Sequence, residues 1–549
     1  GLELVHLPSL RISYLLAARA AGPAMVSDVA VQSILNNTAD AVEEMIEGLV
    51  LLNPSLKRLG GHNVVVRASL DRSKVALVSG GGSGHEPSHA GWVGEGMLSA
   101  AVCGAVFASP STAAVLAAIL HVTGPAGCLV VVKNYTGDRL NFGLACEHAK
   151  ALGLSVELVV VGDDCALPHR GLGIAGRRGL AGALLVHKVA GAAAAAGGSL
   201  EKVAAEARST AASLGTVGVA LKTCHPFGTI VEERIAAGSM EVGLGIHGEP
   251  GASLARLAPA DAIVDEMLRM IVSTEEGCSY LALPRGERVA LLVNNLGAAT
   301  PIEMCVVARR AITALRSVHG VCVSRVYSGA FMTSLDMSGV SLSLLRLDDE
   351  RIARLDAPAA PLAWPASATP AADAAPLPPP ELPSGAQTRH VPPADATTPP
   401  ILSSEQQAAT LRAVRAAAEA VCALEPLLTE WDQKVGDGDC GATLQAGGRA
   451  VLADCASYAL SHPAAAVAGL CYSVSRGMGG TSGVLYAIFL SSVRAELANA
   501  SLAAAPTSAQ MAAAFCAGAQ AVGRYGGASE GDRTMLDALL PAAAAFTAA

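Results

Sequence analysis

Residues 74–87 read KVALVSGGGSGHEP. The run Val75–Val78 is short, aliphatic and β-branched, which predicts a buried strand. Directly after it come Gly80-Gly81-Gly82-Ser83-Gly84-His85-Glu86-Pro87. Glycines allow backbone N–H groups to approach a small polar ligand closely. The segment lacks the Gly-Lys-Ser/Thr ending of a Walker A loop, and it makes a poor dinucleotide fingerprint. By itself it reads equally as a tight turn.

Outward from this segment, from about 36 to 356, strand-like runs alternate with Ala-rich helical ones. The runs Cys128–Val132, Val156–Val161, Val217–Leu221 and Val289–Val293 are the further expected strands. A helix over Leu200–Leu214 is expected to connect two lobes, about 36–200 and 215–356. Between Glu95 and Lys133 no side chain is charged, but Pro110, His121 and Pro125 interrupt the stretch. It fits a buried strand–helix–strand unit better than a membrane span.

The 549 residues are 52% hydrophobic, 15% charged and 3% aromatic. Large cores built from Ala, Val, Leu and Gly are therefore expected. The net charge of −9 comes with no Lys/Arg run, which argues against a nucleic-acid partner. The 13 cysteines are scattered, without a C-x-x-C pair or a zinc-spaced His/Cys cluster. Reduced thiols and a cytoplasmic location follow as expectations. The first residue is Gly, and residues 1–32 are read as an extension that is not native or is transit-like, with Met25 a plausible start.

At about 357 the composition changes. The stretch APAAPLAWPASATPAADAAPLPPPELPSGAQ, from Ala357, cannot bury a core and reads as a semi-extended linker over 357–402. From 403 to 549 the pattern is helical throughout, with Ser403 or Ser404 as the first cap and Glu405 in the opening turn.

Four more motifs carry chemistry. Lys133-Asn134-Tyr135-Thr136-Gly137-Asp138 ends an apolar strand, where open α/β sheets bind ligands. Asp138 could serve as a base there, or the segment could be a plain surface turn. In Gly243-Leu244-Gly245-Ile246-His247-Gly248-Glu249-Pro250-Gly251, His247 follows Ile246 and precedes Gly248, so it has little to pack against. Its imidazole could act as base or nucleophile. Asp432-Gln433-Lys434-Val435-Gly436-Asp437-Gly438-Asp439-Cys440-Gly441 groups three carboxylates, which suit Mg²⁺ shared with nucleotide phosphates; a solvated acidic turn is the alternative. Met478-Gly479-Gly480-Thr481-Ser482-Gly483 opens a helix, a natural phosphate site. In Gly531-Asp532-Arg533-Thr534-Met535-Leu536-Asp537, Arg533 could meet a phosphate or pair with an acid.

Taken in order, these motifs resemble the dihydroxyacetone kinase family. The resemblance runs from ILNNTADAVEEMIEGLV at Ile34 through VNNLGA at 293–298 and TSLDMSG at 333–339 to the C-terminus. It implies an α/β two-lobed ketone-binding domain over 33–356 and an all-α helical-barrel nucleotide-binding domain over 403–549. It implies a covalent hemiaminal on His247, and a substrate surrounded by Gly82, Ser83, Gly84, His85, Lys133 and Asp138. His85 and Asp138 would do acid–base work. Asp432, Asp437 and Asp439 would hold Mg²⁺ against ATP, with Asp439, Cys440, Gly441, Thr481, Ser482, Arg533 and Thr534 along the nucleotide.

Fusion of both domains resembles the ATP-using branch; the phosphoenolpyruvate-fed branch usually has His where Cys440 stands. The resemblance further implies dihydroxyacetone and glyceraldehyde as substrates, a homodimer and no membrane partner. Alternatives are an FAD-AMP lyase forming cyclic FMN, or a catalytically impaired triose-sensing protein. Family nucleotide domains continue several tens of residues past GDRTMLDAL, so a C-terminally truncated and weakly ATP-binding second domain is expected. Ser529-Glu530 also departs from the basic or Pro-containing pair common there.

Overall fold

The computed structural model describes residues 33–167, 176–229, 233–275, 280–361, 363–365, 369–370, 400–434, 437–500 and 504–548. The chain divides into two compact units between Ala374 and Ala375. The expected extension, 1–32, and residues 371–399 of the expected linker lie outside the described residues.

The first unit begins with α1 (Ala41–Leu52), β1 (Leu56–Arg58) and β2 (Val64–Arg67). Next come β3 (Ala76–Ser83), β4 (Ala100–Val106), α2 (Thr112–Val122), β5 (Cys128–Lys133), α3 (Thr136–Ala151) and β6 (Val156–Val161). These strands form one sheet in the order β1-β2-β4-β3-β5-β6. Pairing is parallel from β4 through β3 and β5 to β6, and antiparallel at the β1–β2–β4 edge. The stretch read as strand–helix–strand is indeed β4, α2 and β5.

Two helices, α4 (Ala183–Ala195) and α5 (Leu200–Ala211), lead to the second lobe. That lobe holds β7 (Leu214–Ala220), β8 (Ser239–Val242), β9 (Ser253–Arg256), α6 (Ala260–Ile271), β10 (Arg288–Asn295), α7 (Pro301–Ser317), β11 (Cys322–Gly329), β12 (Gly339–Leu347) and α8 (Asp349–Asp356). Its sheet runs β11-β10-β12-β7-β8-β9, antiparallel except for β10–β11.

Two sequence expectations are corrected. The helix expected to reach Leu214 stops at Ala211, because the fully buried Leu214 already pairs with Leu345 as the first residue of β7. The glycine-rich loop expected after Val78 is largely strand. β3 continues to Ser83, with Gly80 opposite Val102 and Gly81 opposite Cys103. The reason is room: a Cβ on Gly80 would stand 2.3 Å from the Val102 carbonyl oxygen. Residues just after α8, read from composition as linker, pack on the first unit. Ala360 N–H donates to Glu95 O at 2.9 Å, and Trp364 lies among Trp92, Tyr327 and Phe331.

The second unit is helical among its described residues: α9 (Ser404–Ala423), α10 (Glu425–Asp432), α11 (Cys440–Asp454), α12 (Pro463–Gly477), α13 (Gly480–Asn499), α14 (Ser508–Gly526) and α15 (Leu536–Ala548). Ser403 caps α9 in a reciprocal capping box with Gln406. Around the interior the helices leave an apolar hollow of about 530 Å³, lined by residues such as Val414, Leu444, Val474, Phe489 and Leu539. Among the described residues, no helix is long and apolar enough to cross a membrane.

Candidate active site

The first site is built from strand ends. β3 delivers His85 two residues beyond its last residue, Ser83; β5 ends on Lys133; and α3 carries Asp138 in its first turn. All three side chains are buried. Gly81 leaves room for Lys133 and Asp138, since a Cβ there would stand 3.1 Å from Lys133 Nζ and 3.4 Å from an Asp138 carboxylate oxygen. Lys133 Nζ also lies 3.0 Å from His89 Nε2. Burial drives the Lys133 pKa below its ordinary value, and the nearby Asp138 and Asp163 carboxylates oppose this.

His247 comes from the second lobe, in the loop joining the antiparallel strands β8 and β9. Its ring lies 4.9 Å from that of His85, 5.1 Å from Phe107 and 4.7 Å from Tyr135, centroid to centroid. Thus the two lobes, far apart in sequence, bring His247 and His85 together.

The hydrogen bonds fix the chemistry of both rings. Glu249 accepts from the His247 backbone N–H at 3.0 Å and contacts its Nδ1 at 2.8 Å. Burial pushes the Glu249 pKa up, but the His247 ring and backbone bring it down to about 2. The carboxylate is therefore ionised and can only accept, so Nδ1 carries a proton, and in the neutral ring Nε2 holds the lone pair. His85 is fixed likewise: its Nδ1 faces the Thr333 carbonyl oxygen at 2.8 Å, and burial holds the ring's pKa well below 6.5. Among the described residues the buried Nε2 of His85 has no partner, and it is left as an acceptor.

The remaining predicted residues of this site sit around it. Ser83 donates its hydroxyl to Gly104 O at 2.7 Å. Gly82 gives space to the Phe107–Ala108 backbone, and Gly84 to the Phe107 ring. Sequence reading assigned no role to Glu249, Tyr135, Phe107 or Thr333. Glu249, Tyr135 and Thr333 stand inside the quoted motifs, whereas Phe107 carries no sequence signal.

In the second unit, Asp432 ends α10, and Asp439 immediately precedes α11. Asp432, Asp437 and Asp439 place one carboxylate oxygen each within 4.8 Å of one another. Asp432 also accepts from Cys440 N–H at 3.1 Å. Among the described residues, no lysine or arginine is paired with the three acids; Lys434 goes to Glu430. Hard oxygen donors lacking a cation fit Mg²⁺. Gly441 lies against α10, where a Cβ would meet Glu425 O at 2.3 Å. Thr481 and Ser482 are in the first turn of α13. Helix α13 packs against α11, the helix that Asp439 precedes. Arg533 and Thr534 sit in the exposed loop before α15. That loop is braced by Asp537, which accepts from Gly531 N–H at 2.6 Å and Thr534 N–H at 2.7 Å.

The α/β unit thus holds a histidine site at its strand ends and the helical unit a carboxylate cluster that fits a cation. The chain belongs to the dihydroxyacetone kinase family: residues 47–363 match the Dak1 domain and residues 434–549 the DAK2 domain. It is 49% identical over 526 residues to a Solanum lycopersicum protein provisionally named a 3,4-dihydroxy-2-butanone kinase, covering 94% of this chain and 86% of that one. It is 41% identical over 520 residues to the triokinase/FMN cyclase of Bos taurus, covering 92% and 86%. The crystal structure of the C. freundii dihydroxyacetone kinase with AMP-PNP and Mg²⁺ superposes with a TM-score of 0.69 at 37% identity, covering 94% of this chain and 90% of that one.

Proposed function

We propose that this chain is an ATP-dependent dihydroxyacetone kinase that holds the ketone on His247. The observation that carries the reading is the Glu249–His247 pair, which leaves Nε2 as a nucleophilic lone pair beside two further polar side chains. In the capture step Nε2 bonds to the carbonyl carbon, and the C=O π pair moves to oxygen. That oxygen takes up one proton, and the ring gives up the one on Nδ1 toward Glu249, so the sum is addition of N–H across C=O. Such a bond supplies hold and orientation that a substrate this small cannot draw from contacts alone. It also rejects glycerol, which has no carbonyl.

The buried, partnerless Nε2 of His85 suits a substrate hydroxyl as donor. Asp138, beside Gly81, is placed to accept the proton of the hydroxyl that receives phosphate. In the second unit, Mg²⁺ held by Asp432, Asp437 and Asp439 would neutralise phosphate charge and align the transferred group. Cys440, Gly441, Thr481, Ser482, Arg533 and Thr534 are proposed to line the nucleotide. Glyceraldehyde, which also has a carbonyl, is the proposed second acceptor, and a homodimer the proposed assembly.

A second activity, conversion of FAD to cyclic FMN, is proposed for the same nucleotide site because relatives at this identity are named triokinase/FMN cyclase. Incubation with FAD followed by detection of cyclic FMN tests it. The kinase reading is tested by coupled ADP release with dihydroxyacetone, glyceraldehyde and glycerol, on this chain and on His247→Ala. Turnover with the first two only, and its loss in the variant, is expected. Undiminished turnover without His247 would overturn covalent capture.

A further inference from the structure

The loop that carries His247 contains four glycines between Gly243 and Gly251, and Gly243 and Gly248 have φ of +76° and +80°. A chain this rich in glycine has little intrinsic preference for one conformation. A nucleophile must nevertheless be held near its attack geometry. Something outside the loop has to fix it.

We infer that Arg178, anchored on Asp164, is the positioning residue that holds the His247 loop from the opposite lobe. Arg178 Nη2 donates to Gly243 O at 2.6 Å, at the start of the loop, and Nη1 reaches Pro250 O at 3.4 Å, at its end. One guanidinium therefore ties both stems, a task for a rigid planar fork. Its Nε donates to Asp164 Oδ2 at 2.7 Å. Asp164 is itself fixed: its side chain is 2% exposed, and its other oxygen accepts from Ala166 N–H at 2.8 Å.

The same guanidinium lies beside the carboxylate that orients His247. A Cβ on Gly245 would stand 1.9 Å from Glu249 Oε2 and 2.9 Å from Arg178 Nη1, so only glycine lets both approach. From its own lobe the loop has a second tie: Arg234 Nη1 donates to Gly248 O at 2.7 Å while the same side chain pairs with Glu241. The charged or titratable groups facing the loop are thus Arg178 and Asp164 from the first lobe, His85 and Tyr135 across the ring, Glu249 within, and Arg234, Glu241 and Cys224 from the second lobe.

Arg178→Gln removes the planar fork, so both stems of the loop lose their tie to the first lobe. KM for dihydroxyacetone should rise about tenfold as capture is misaimed, with KM for Mg-ATP unchanged. Arg178→Lys keeps the charge but loses the fork, so it should leave KM for dihydroxyacetone high.

The inference rests on His247 being the ketone's covalent site, so His247→Gln is assayed alongside with intact-mass detection of the dihydroxyacetone adduct. Turnover surviving in His247→Gln would sink that underlying reading. An inactive His247→Gln, together with a wild-type dihydroxyacetone KM in Arg178→Gln, would overturn the role of Arg178 alone. Should Arg178→Gln fail to fold, Arg178→Lys decides: a wild-type KM for dihydroxyacetone refutes the clamp.

Discussion

Asp138 shows how far a single residue can be argued. Its carboxylate is buried, faces Gly81 and stands near a buried lysine, so a proton placed on it would not be shared with bulk water. Asp138→Asn keeps shape and hydrogen-bonding capacity but not basicity. Dihydroxyacetone binding should persist, and phosphoryl transfer should slow by roughly 10²–10⁴-fold. Single-turnover kinetics on pre-bound substrate checks this, and a fall under about threefold would remove Asp138 from the role of base. At this scale the sequence was legible where residue type limits the chemistry. A histidine beside glycine in GIHGEPG and three aspartates in eight residues point to their uses before any fold is known. The partners that set their state were not. Thr333 fixes the His85 tautomer from 248 positions away, and Arg178 reaches Gly243 across 65 positions. Contacts that exist only once two lobes close leave no local pattern to read.

Among the elements, β3 is the place where local reading and tertiary packing part. Gly80, Gly81 and Gly82 have poor strand propensity, which favours a loop. The packing overrides it, because a side chain at Gly80 has no room against β4. Gly80→Ala should therefore destabilise the first unit by about 1–3 kcal/mol, the usual cost of overpacking. Chemical denaturation of the first unit would show it, and unchanged stability would mean that β4 yields easily. By contrast Val156–Val161 was readable to the residue, since Val156, Val159, Val160 and Val161 are β-branched and favour the extended backbone.

The buried histidines behind β3 give an element-scale pH prediction. Burial holds His85, His89 and His187 well below 6.5, His187 at about 3. Each stays neutral in the fold but takes a proton in the unfolded chain. The stability they contribute is complete above about pH 6.5 and is lost as pH falls through that value toward the folded pKa. The melting temperature of the first unit should thus begin to drop near pH 6.5, before ordinary carboxylates titrate. A melting temperature flat from pH 7.5 to 5 would show that these rings are not neutral in the fold.

At the scale of the whole chain, the two chemistries lie in separate compact units, divided between Ala374 and Ala375. His85, Lys133, Asp138 and His247 all belong to the first, and Asp432, Asp437 and Asp439 to the second. A ligand stabilises the unit that binds it by RT ln(1 + [L]/Kd), about 2.7 kcal/mol at a hundredfold excess over Kd. If each unit unfolds as its own cooperative block, dihydroxyacetone should raise one thermal transition and Mg-ATP the other. Asp437→Asn with Asp439→Asn deletes two of the three proposed cation ligands at exposed positions, where the fold itself loses little. That double variant should abolish the Mg-ATP shift and leave the dihydroxyacetone shift at its wild-type size, since distant sites without shared partners act additively. His247→Ala should do the reverse. Differential scanning calorimetry with each ligand alone reads all four cases in one experiment. A dihydroxyacetone shift that disappears in the aspartate double variant would mean that ketone capture needs the loaded nucleotide site, and that the two units form one composite centre in place of two independent ones.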